Sequence, residues 1–385
     1  MVKSGRPGRR APLPGGAWAH VPDPLPPVLT WTPTLVRALS DGDRLIGRLS
    51  GEGGRLPNPH VLMRPFIRRE AVLSSRIEGT QATLGELLAS EAGLAVDRSP
   101  ADLREVGNYV AALEHGIRRL GELPLSLRLV RELHERLMRG VRGDRVAPGE
   151  FRTIQNWIGV PGATLANATY VPPPPGDVMA CLGSWEQFLH DRTWPPLVQI
   201  ALAHYQFEAI HPFIDGNGRV GRLLVTLFLI ERGVLPTPLL YLSAFFEATR
   251  QDYYAGLRGV SERGDWESWL VYFLNGVARQ SEDALSRATR INETLEGWRR
   301  EVAGRGARVA LRLVDRLGEN PYCTARGAAA KLSVAFTTAQ RAVDTLVQAG
   351  ILRQVGEARR DRAYCATALL AILEEPATIT PAETP

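Results

Sequence analysis

The chain has 385 residues, more than one ordinary core and enough for two or three domains, with the 44% hydrophobic and 23% charged content of a globular protein. It contains no run of 18 apolar residues that could span a membrane, and its first residues, MVKSGRPGRRAPLPGG, lack the apolar stretch of a signal peptide. Cys181, Cys323 and Cys365 are widely spaced with no CxxC pair, which argues against a zinc site and suits a reducing compartment, so a cytoplasmic protein with no membrane partner is expected.

In chain order, residues 1–32 are rich in Pro, Gly and Arg and read as a disordered or extended basic tail. Helical spacing of apolar residues begins at Pro33, in PTLVRALSDGDRLIGRLSGEG, and continues in FIRREAVLSSRIEGT; residues 33–115 form an N-terminal helical region. Ser99 and Pro100 open another helix through Arg119, and LSLRLVRELHERLMRGV is a further amphipathic one. Periodicity then stops. In GEFRTIQNWIGVPGATLANATYVPPPP, the pieces QNWIGV and ATYV read as the arms of a hairpin, stiffened at its exit by four prolines. Helices resume in VMACLGSWEQFLHD, PPLVQIALAHYQFEAI and GRLLVTLFLIERG; the last is apolar on nearly every side and is expected at the centre of a bundle. The segment from Asp252 to Leu285 gives two helices, or one broken at Gly264, while Glu231 and Asp252 read as solvated.

Residues 300–371 differ in character. Their order (helix, helix–turn–helix, strand, charged turn GEARRDR, strand) predicts a winged helix, with residues 372–385 a loose tail. Ten basic and five acidic residues between Gly306 and Ala371 account for the whole net charge of +5, so an anionic partner such as DNA is conceivable there, with Arg359, Arg360 and Arg362 on the wing. Winged helices also mediate protein contacts, and the sequence leaves both readings open.

The chemistry concentrates in HPFIDGNGRVGR, residues 211–222. Pro212 forbids continuation of the preceding helix, and a new helix begins near Gly218 or Arg219. Gly216 and Gly218 permit backbone angles closed to other residues and bare amide N–H groups at a helix N-terminus, where the dipole favours an anion. Arg219 and Arg222, three apart, share a face and match phosphate oxygens with their guanidinium forks. Asp215 would repel phosphate unless a cation lay between them, which suits Mg²⁺ bound through one carboxylate and substrate phosphates. Asn217 can donate to a phosphate oxygen, and His211 can take a proton from a hydroxyl near neutral pH. His204, seven residues before His211, has no third ligand at metal spacing and reads as a core histidine.

These residues resemble the Fic family, whose motif HxFx(D/E)GNGRxxR is matched at every fixed position by His211, Phe213, Asp215, Gly216, Asn217, Gly218, Arg219 and Arg222. The resemblance implies a mainly α fold: a helical Fic core over residues 116–290 with a β-hairpin flap. It also implies transfer of AMP from Mg-ATP to a Ser, Thr or Tyr hydroxyl of a target protein or of the chain itself. His211 would be the general base, Asp215 the Mg²⁺ ligand and Phe213 a core anchor. Gly216, Asn217, Gly218, Arg219, Val220, Gly221 and Arg222 would line ATP, with Arg219 on the β-phosphate and Arg222 on the γ-phosphate. A branch that phosphorylates carries Lys where Gly218 stands, so Gly here implies AMP transfer. Ser74, Glu78 and Gly79 fit the family's inhibitory motif (S/T)xxxE(G/N), with Glu78 pairing Arg222 in place of a γ-phosphate. The flap, residues 153–171, would dock a target segment by strand pairing. Thr169 and Tyr170 would approach the nucleotide, and Tyr253, Tyr254 and Ser261 fall where relatives contact adenine and ribose, although many relatives carry Asn at the position of Ser261. Relatives often dimerise. The alternatives are a hydrolase that removes AMP, with Glu78 positioning water, and a DNA-binding regulator whose Fic core senses ATP.

Overall fold

The computed structural model describes residues 7–55, 59–141, 147–160, 162–303, 308–356 and 362–377. They are mainly helical, with a few short strands. Strands β1 (Arg9–Pro12) and β2 (Trp18–Val21) come first, then helices α1 (Pro33–Gly53), α2 (Pro59–Ile77), α3 (Leu84–Glu91), α4 (Pro100–Arg119) and α5 (Leu127–Leu137). After the irregular stretch 147–173 follow α6 (Pro175–Leu189), α7 (Pro196–Ile210), α8 (Asn217–Glu231), α9 (Ser243–Ala248), α10 (Arg250–Arg263) and α11 (Trp266–Ala303). The C-terminal run is α12 (Arg308–Glu319), β3 (Tyr322–Thr324), α13 (Ala325–Leu332), α14 (Phe336–Gln348), β4 (Arg353–Val355), β5 (Ala363–Cys365) and α15 (Thr367–Glu374).

Two compact units are formed: Met1–Gly47, Asn108–Pro236 and Phe245–Arg279 make the first, and Arg48–Gly107, Thr237–Ala244 and Gln280–Pro385 the second. In the first, α7 and α8 pack side by side and are buried over most of their length, as the all-round apolar sequence of α8 requires. Trp185 and Trp269 are buried and each donates its indole N–H to a carbonyl of α7, Ala203 and Ala201 respectively. Gly264, at φ 70°, ends α10 and lets α11 begin two residues later, so the segment is two helices. Glu231 is not simply solvated: its carboxylate accepts the Leu125 N–H at 3.0 Å.

His204 lies inside this unit, 4% exposed, among Phe246, Tyr253, Trp269 and Phe273. The Gly221 carbonyl, 3.2 Å from Nδ1, can only accept, which assigns the ring proton to Nδ1; Nε2 then accepts from the Tyr253 hydroxyl at 2.9 Å. Burial, with the charge of Arg222 next, pushes the His204 pKa down to about 3. It is a neutral core histidine.

The expected disordered tail over 1–32 is corrected by an antiparallel hairpin: β1 pairs with β2 in the register Arg9↔Val21 to Pro12↔Trp18. Gly15 and Gly16 turn the chain at φ 81° and 83°, and Ala11, Ala19 and Val21 bury against Leu13, Val171 and Cys181. The His20 N–H extends the pairing to the Val171 carbonyl at 2.8 Å. Residues 1–6 lie outside the described residues. The expected flap hairpin is reduced to one bridge, Ile158↔Tyr170, with a short 3-10 turn, Leu165–Asn167, between the arms.

The second unit packs α2 against α12 and α12 against α14. Its sheet has the order β3-β5-β4, antiparallel throughout, with Tyr322↔Cys365 and Arg353↔Cys365 in register. The loose tail expected over residues 372–385 is corrected at its start, because α15 runs to Glu374 and buries Leu369, Ile372 and Leu373; residues 378–385 lie outside the described residues. Arg359 and Arg360 of the wing turn lie outside the described residues; Arg362 is described and exposed.

Two results are expected from this packing. A Cβ at Gly116 of α4 would sit 2.6 Å from Leu227 Cδ1 of α8 and 3.0 Å from Leu133 Cδ2 of α5, so Gly116→Ala overpacks the bundle. Its urea midpoint should fall by the equivalent of about 1–3 kcal/mol with m unchanged. His204 stays neutral in the fold while the unfolded chain takes up its proton near pH 6.5. The unfolded state therefore binds more protons in between, and stability drops as pH falls from about 6.5 towards 3. In His204→Gln, urea melts over the accessible part of that window should lack this share of the slope, on the order of 3–5 kcal/mol when integrated.

Candidate active site

The site is a turn between two buried helices. α7 ends at Ile210, and His211 adopts the left-handed conformation, φ 50° and ψ 60°, before Pro212. A non-glycine residue held there costs about 1–3 kcal/mol and persists only where its surroundings over-determine it. Those surroundings come from outside the motif. The His211 carbonyl accepts Arg152 Nε–H at 2.9 Å and Asn156 Nδ2–H at 3.3 Å, and the Arg152 N–H reaches the Pro212 carbonyl at 2.9 Å. Phe213 is fully buried and stacks on the His134 ring, centroids 3.7 Å apart and planes within 6°.

His134, on α5, has a fixed tautomer. The Gly149 N–H donates to its Nδ1 at 2.9 Å, so Nε2 carries the proton and donates to the Asp215 carbonyl at 3.1 Å. Burial pushes its pKa down to about 4, which keeps the ring neutral at physiological pH. Asn217 closes the turn from within, its Oδ1 accepting the Phe213 N–H at 2.8 Å and its Nδ2 donating to the Phe213 carbonyl at 2.9 Å. Both ends of that amide are used in the turn, and its nitrogen has a second N–H for the expected phosphate contact.

Gly216 caps α8 at φ 78°, and a Cβ there would lie 2.8 Å from Met138 Sδ, so glycine is required on two counts. Gly218 lies inside α8 and has no left-handed angle, contrary to expectation. The first intrahelical bond runs from Val220 N to the Gly216 carbonyl, so the N–H groups of Asn217, Gly218 and Arg219 face out of the helix start. That end carries the positive dipole. Arg219 and Arg222, both on its first two turns, are 4% and 3% exposed. The Asp215 side chain is 54% exposed; its Oδ1 accepts the Gly216 N–H at 2.5 Å and lies 3.7 Å from Arg219 Nη2.

His211 is half-buried, and its Nδ1 stands 3.3 Å from the Glu208 carbonyl. A carbonyl only accepts, so Nδ1 bears the proton and Nε2 is the basic nitrogen of the neutral ring. The arrangement thus brings a base, an anion-attracting helix start, two guanidinium groups and an exposed carboxylate to one turn. Among the described residues no three His, Cys, Asp or Glu side chains group to cage a metal. One exposed carboxylate beside an anion site fits Mg²⁺ that arrives on phosphate oxygens and keeps its waters.

The remaining candidates fall in several places. Val220 is fully buried, and Gly221 packs so tightly that a Cβ would meet Glu208 Oε1 at 2.2 Å, so their side-chain positions serve the α7–α8 contact. The Tyr170 hydroxyl donates to the Ala209 carbonyl at 2.8 Å, tacking the flap to the end of α7, while Thr169 is exposed. Ser261 is buried and bonded to the Tyr205 hydroxyl at 2.9 Å. Tyr254 is exposed under the Arg250 guanidinium, whereas Tyr253 is core. In the second unit Ser74 is buried within α2, Glu78 is exposed just past its end, and Gly79 turns at φ 103°. His134, Arg152 and Asn156 escaped the sequence reading. No local signal marks them, since their partners are backbone groups up to 81 residues away.

Comparison with known proteins gives this geometry a family. Residues 36–118 match the model of the Fic/DOC family N-terminal region, and residues 124–229 that of the Fic/DOC family. Over 166 residues, 42% of this chain and 31% of the relative, the chain is 34% identical to the protein adenylyltransferase Fic of Drosophila yakuba. It therefore spans about a third of the length of the curated relatives it matches. A Fic family protein from Desulfovibrio desulfuricans shares the fold, with a TM-score of 0.60 at 21% identity over 89% of this chain and 98% of that one. Fic-1 (aa134 - 508) from C. elegans is 30% identical, with a TM-score of 0.51 over 67% of this chain and 73% of that one. Similarity of that depth over most of a solved relative, around a complete helix-start motif, means that this chain belongs to the Fic family.

Proposed function

We propose that the protein transfers AMP from Mg-ATP to a Ser, Thr or Tyr hydroxyl of a target protein, and to a hydroxyl of its own. The observation that carries this reading is the His211 ring, oriented by the Glu208 carbonyl so that Nε2 is basic, beside the outward-facing N–H groups of α8. The relatives named protein adenylyltransferase Fic support it. In the reaction, Nε2 takes the hydroxyl proton as the oxygen bonds to the α-phosphorus. The bond from that phosphorus to the bridging oxygen of the β-phosphate breaks, and pyrophosphate leaves. The α8 N–H groups and Arg219 hold the α- and β-phosphates, and Arg222 holds the γ-phosphate. Asp215 would hold Mg²⁺, which neutralises phosphate charge when bound.

Other parts of the proposal rest on separate features. Exposed Ile154, Trp157, Ile158 and Val160 on the flap suit a docked target segment. Glu78, exposed and followed by left-handed Gly79, suits an inhibitory carboxylate directed at Arg222. The order α12, β3, α13, α14, β4, β5 suits a winged helix, which could bind DNA or protein. Homodimerisation and a reducing cytoplasmic setting, where Cys181, Cys323 and Cys365 stay thiols, complete the reading.

Incubation with ATP labelled in the α-phosphate and with Mg²⁺ should label the protein. Glu78→Gly should raise the rate at least about tenfold, and His211→Ala should lower it about 10²- to 10⁴-fold. An unchanged rate in Glu78→Gly removes the inhibitory role. Release of AMP from a modified protein by the wild type, lost in Glu78→Gly, would instead favour the hydrolase.

A further inference from the structure

Arg152 is a buried cation that the motif does not contain, and among the described residues its side chain donates to backbone carbonyls alone. It is 4% exposed, in the irregular stretch ahead of the flap. Its Nε donates to the His211 carbonyl at 2.9 Å; its Nη2 donates to the Pro173 carbonyl at 2.6 Å and the Ile210 carbonyl at 3.3 Å. Nη1 reaches the Ile154 carbonyl at 3.3 Å, and the residue's own N–H reaches the Pro212 carbonyl at 2.9 Å. One side chain and its amide therefore hold the last carbonyl of α7, the peptides on both sides of Pro212, and both ends of the flap. None of these partners belongs to α8, where the phosphates would sit. A guanidinium suits this task because its donors form a rigid planar fork that an ammonium cannot reproduce.

Burial with no carboxylate partner among the described residues pushes the Arg152 pKa down to about 10, yet the group stays charged at physiological pH. A structural need could be met more cheaply by an apolar plug and a loose loop. The cation is instead spent where His211 must keep its left-handed angle and where the flap leaves the core. Taking the AMP-transfer reading as its basis, we propose that Arg152 is a positioning residue for the transfer step. It fixes the His211 imidazole relative to the hydroxyl that the flap presents, and acts on turnover rather than on nucleotide affinity.

The test uses the full chain carrying Glu78→Gly, with Arg152→Met and Arg152→Lys added separately. Arg152→Met should lower kcat for AMP transfer about 100-fold. The Kd for α,β-methylene-ATP, by calorimetry, should stay within about threefold. Arg152→Lys, which keeps the charge and part of the donor set, should recover some of the lost kcat. In histidine-ring NMR spectra, the His211 signal should shift or broaden in Arg152→Met while that of core His204 stays. Unchanged kcat, affinity lost in step with kcat, or joint loss of the His211 and His204 signals would each overturn the proposal, the last by marking Arg152 as a bolt of the fold alone. If the Glu78→Gly protein transfers no AMP, the function reading fails separately, and the ring signals decide on Arg152: an unmoved His211 overturns its role.

Discussion

The left-handed backbone of His211 is the constraint on which the rest of the site depends. An imidazole at the end of a regular helix would continue along the helix surface. The turn at φ 50° and the following Pro212 instead end α7 and send the chain into the Phe213 turn that opens α8. Such a conformation is unfavourable for a residue with a Cβ, so something must hold it. Arg152 and Asn156 hold the His211 carbonyl, the core holds Phe213, and Asn217 closes the loop on itself. The strain at one residue is thus balanced by hydrogen bonds drawn from two separate stretches of chain, residues 152–156 and Asn217, and by the burial of Phe213.

Electrostatic roles divide cleanly across these residues. His134 and His204 are neutral because burial disfavours their charged form, and each is bonded in one tautomer. They can therefore act as rigid spacers without adding charge. The arginines at the helix start do add charge, and so do the α8 dipole and its outward N–H groups. On the AMP-transfer reading, a helix start of this kind favours a polyanion, and its outward N–H donors need little reorganisation when one binds.

How much of this was legible in the sequence depends on how local the cause is. The turn between α7 and α8 could be read because its determinants, Pro212, Gly216 and the run of apolar residues after Arg219, sit within one stretch. Even there the detail differed. Glycine at 218 looked like a second flexible joint but lies in the helix, and the Asn217 amide faces inward to Phe213. Such an inward choice is set by the depth of the turn in the core, which no short motif encodes. The N-terminal hairpin was missed because its buried side chains are few and small, Ala11, Ala19 and Val21, inside a Pro- and Gly-rich segment that composition alone assigns to disorder. The fold class followed from helical periodicity, which many residues report at once and which single misreadings do not disturb.

Arg152 shows why the hidden half of the site is also the costly half. Carbonyl oxygens neutralise a guanidinium only partly, so a buried arginine that serves carbonyls leaves net positive charge in a region of low dielectric. Isolated, that charge destabilises the fold. Here it is kept where its carbonyl partners fix the turn and the flap, so its benefit lies in geometry rather than in charge. The interactions that hold His211 in an unfavourable conformation thus set the geometry of the site, whereas the preference for an anion comes from the start of α8, so positioning and recognition have separate physical origins.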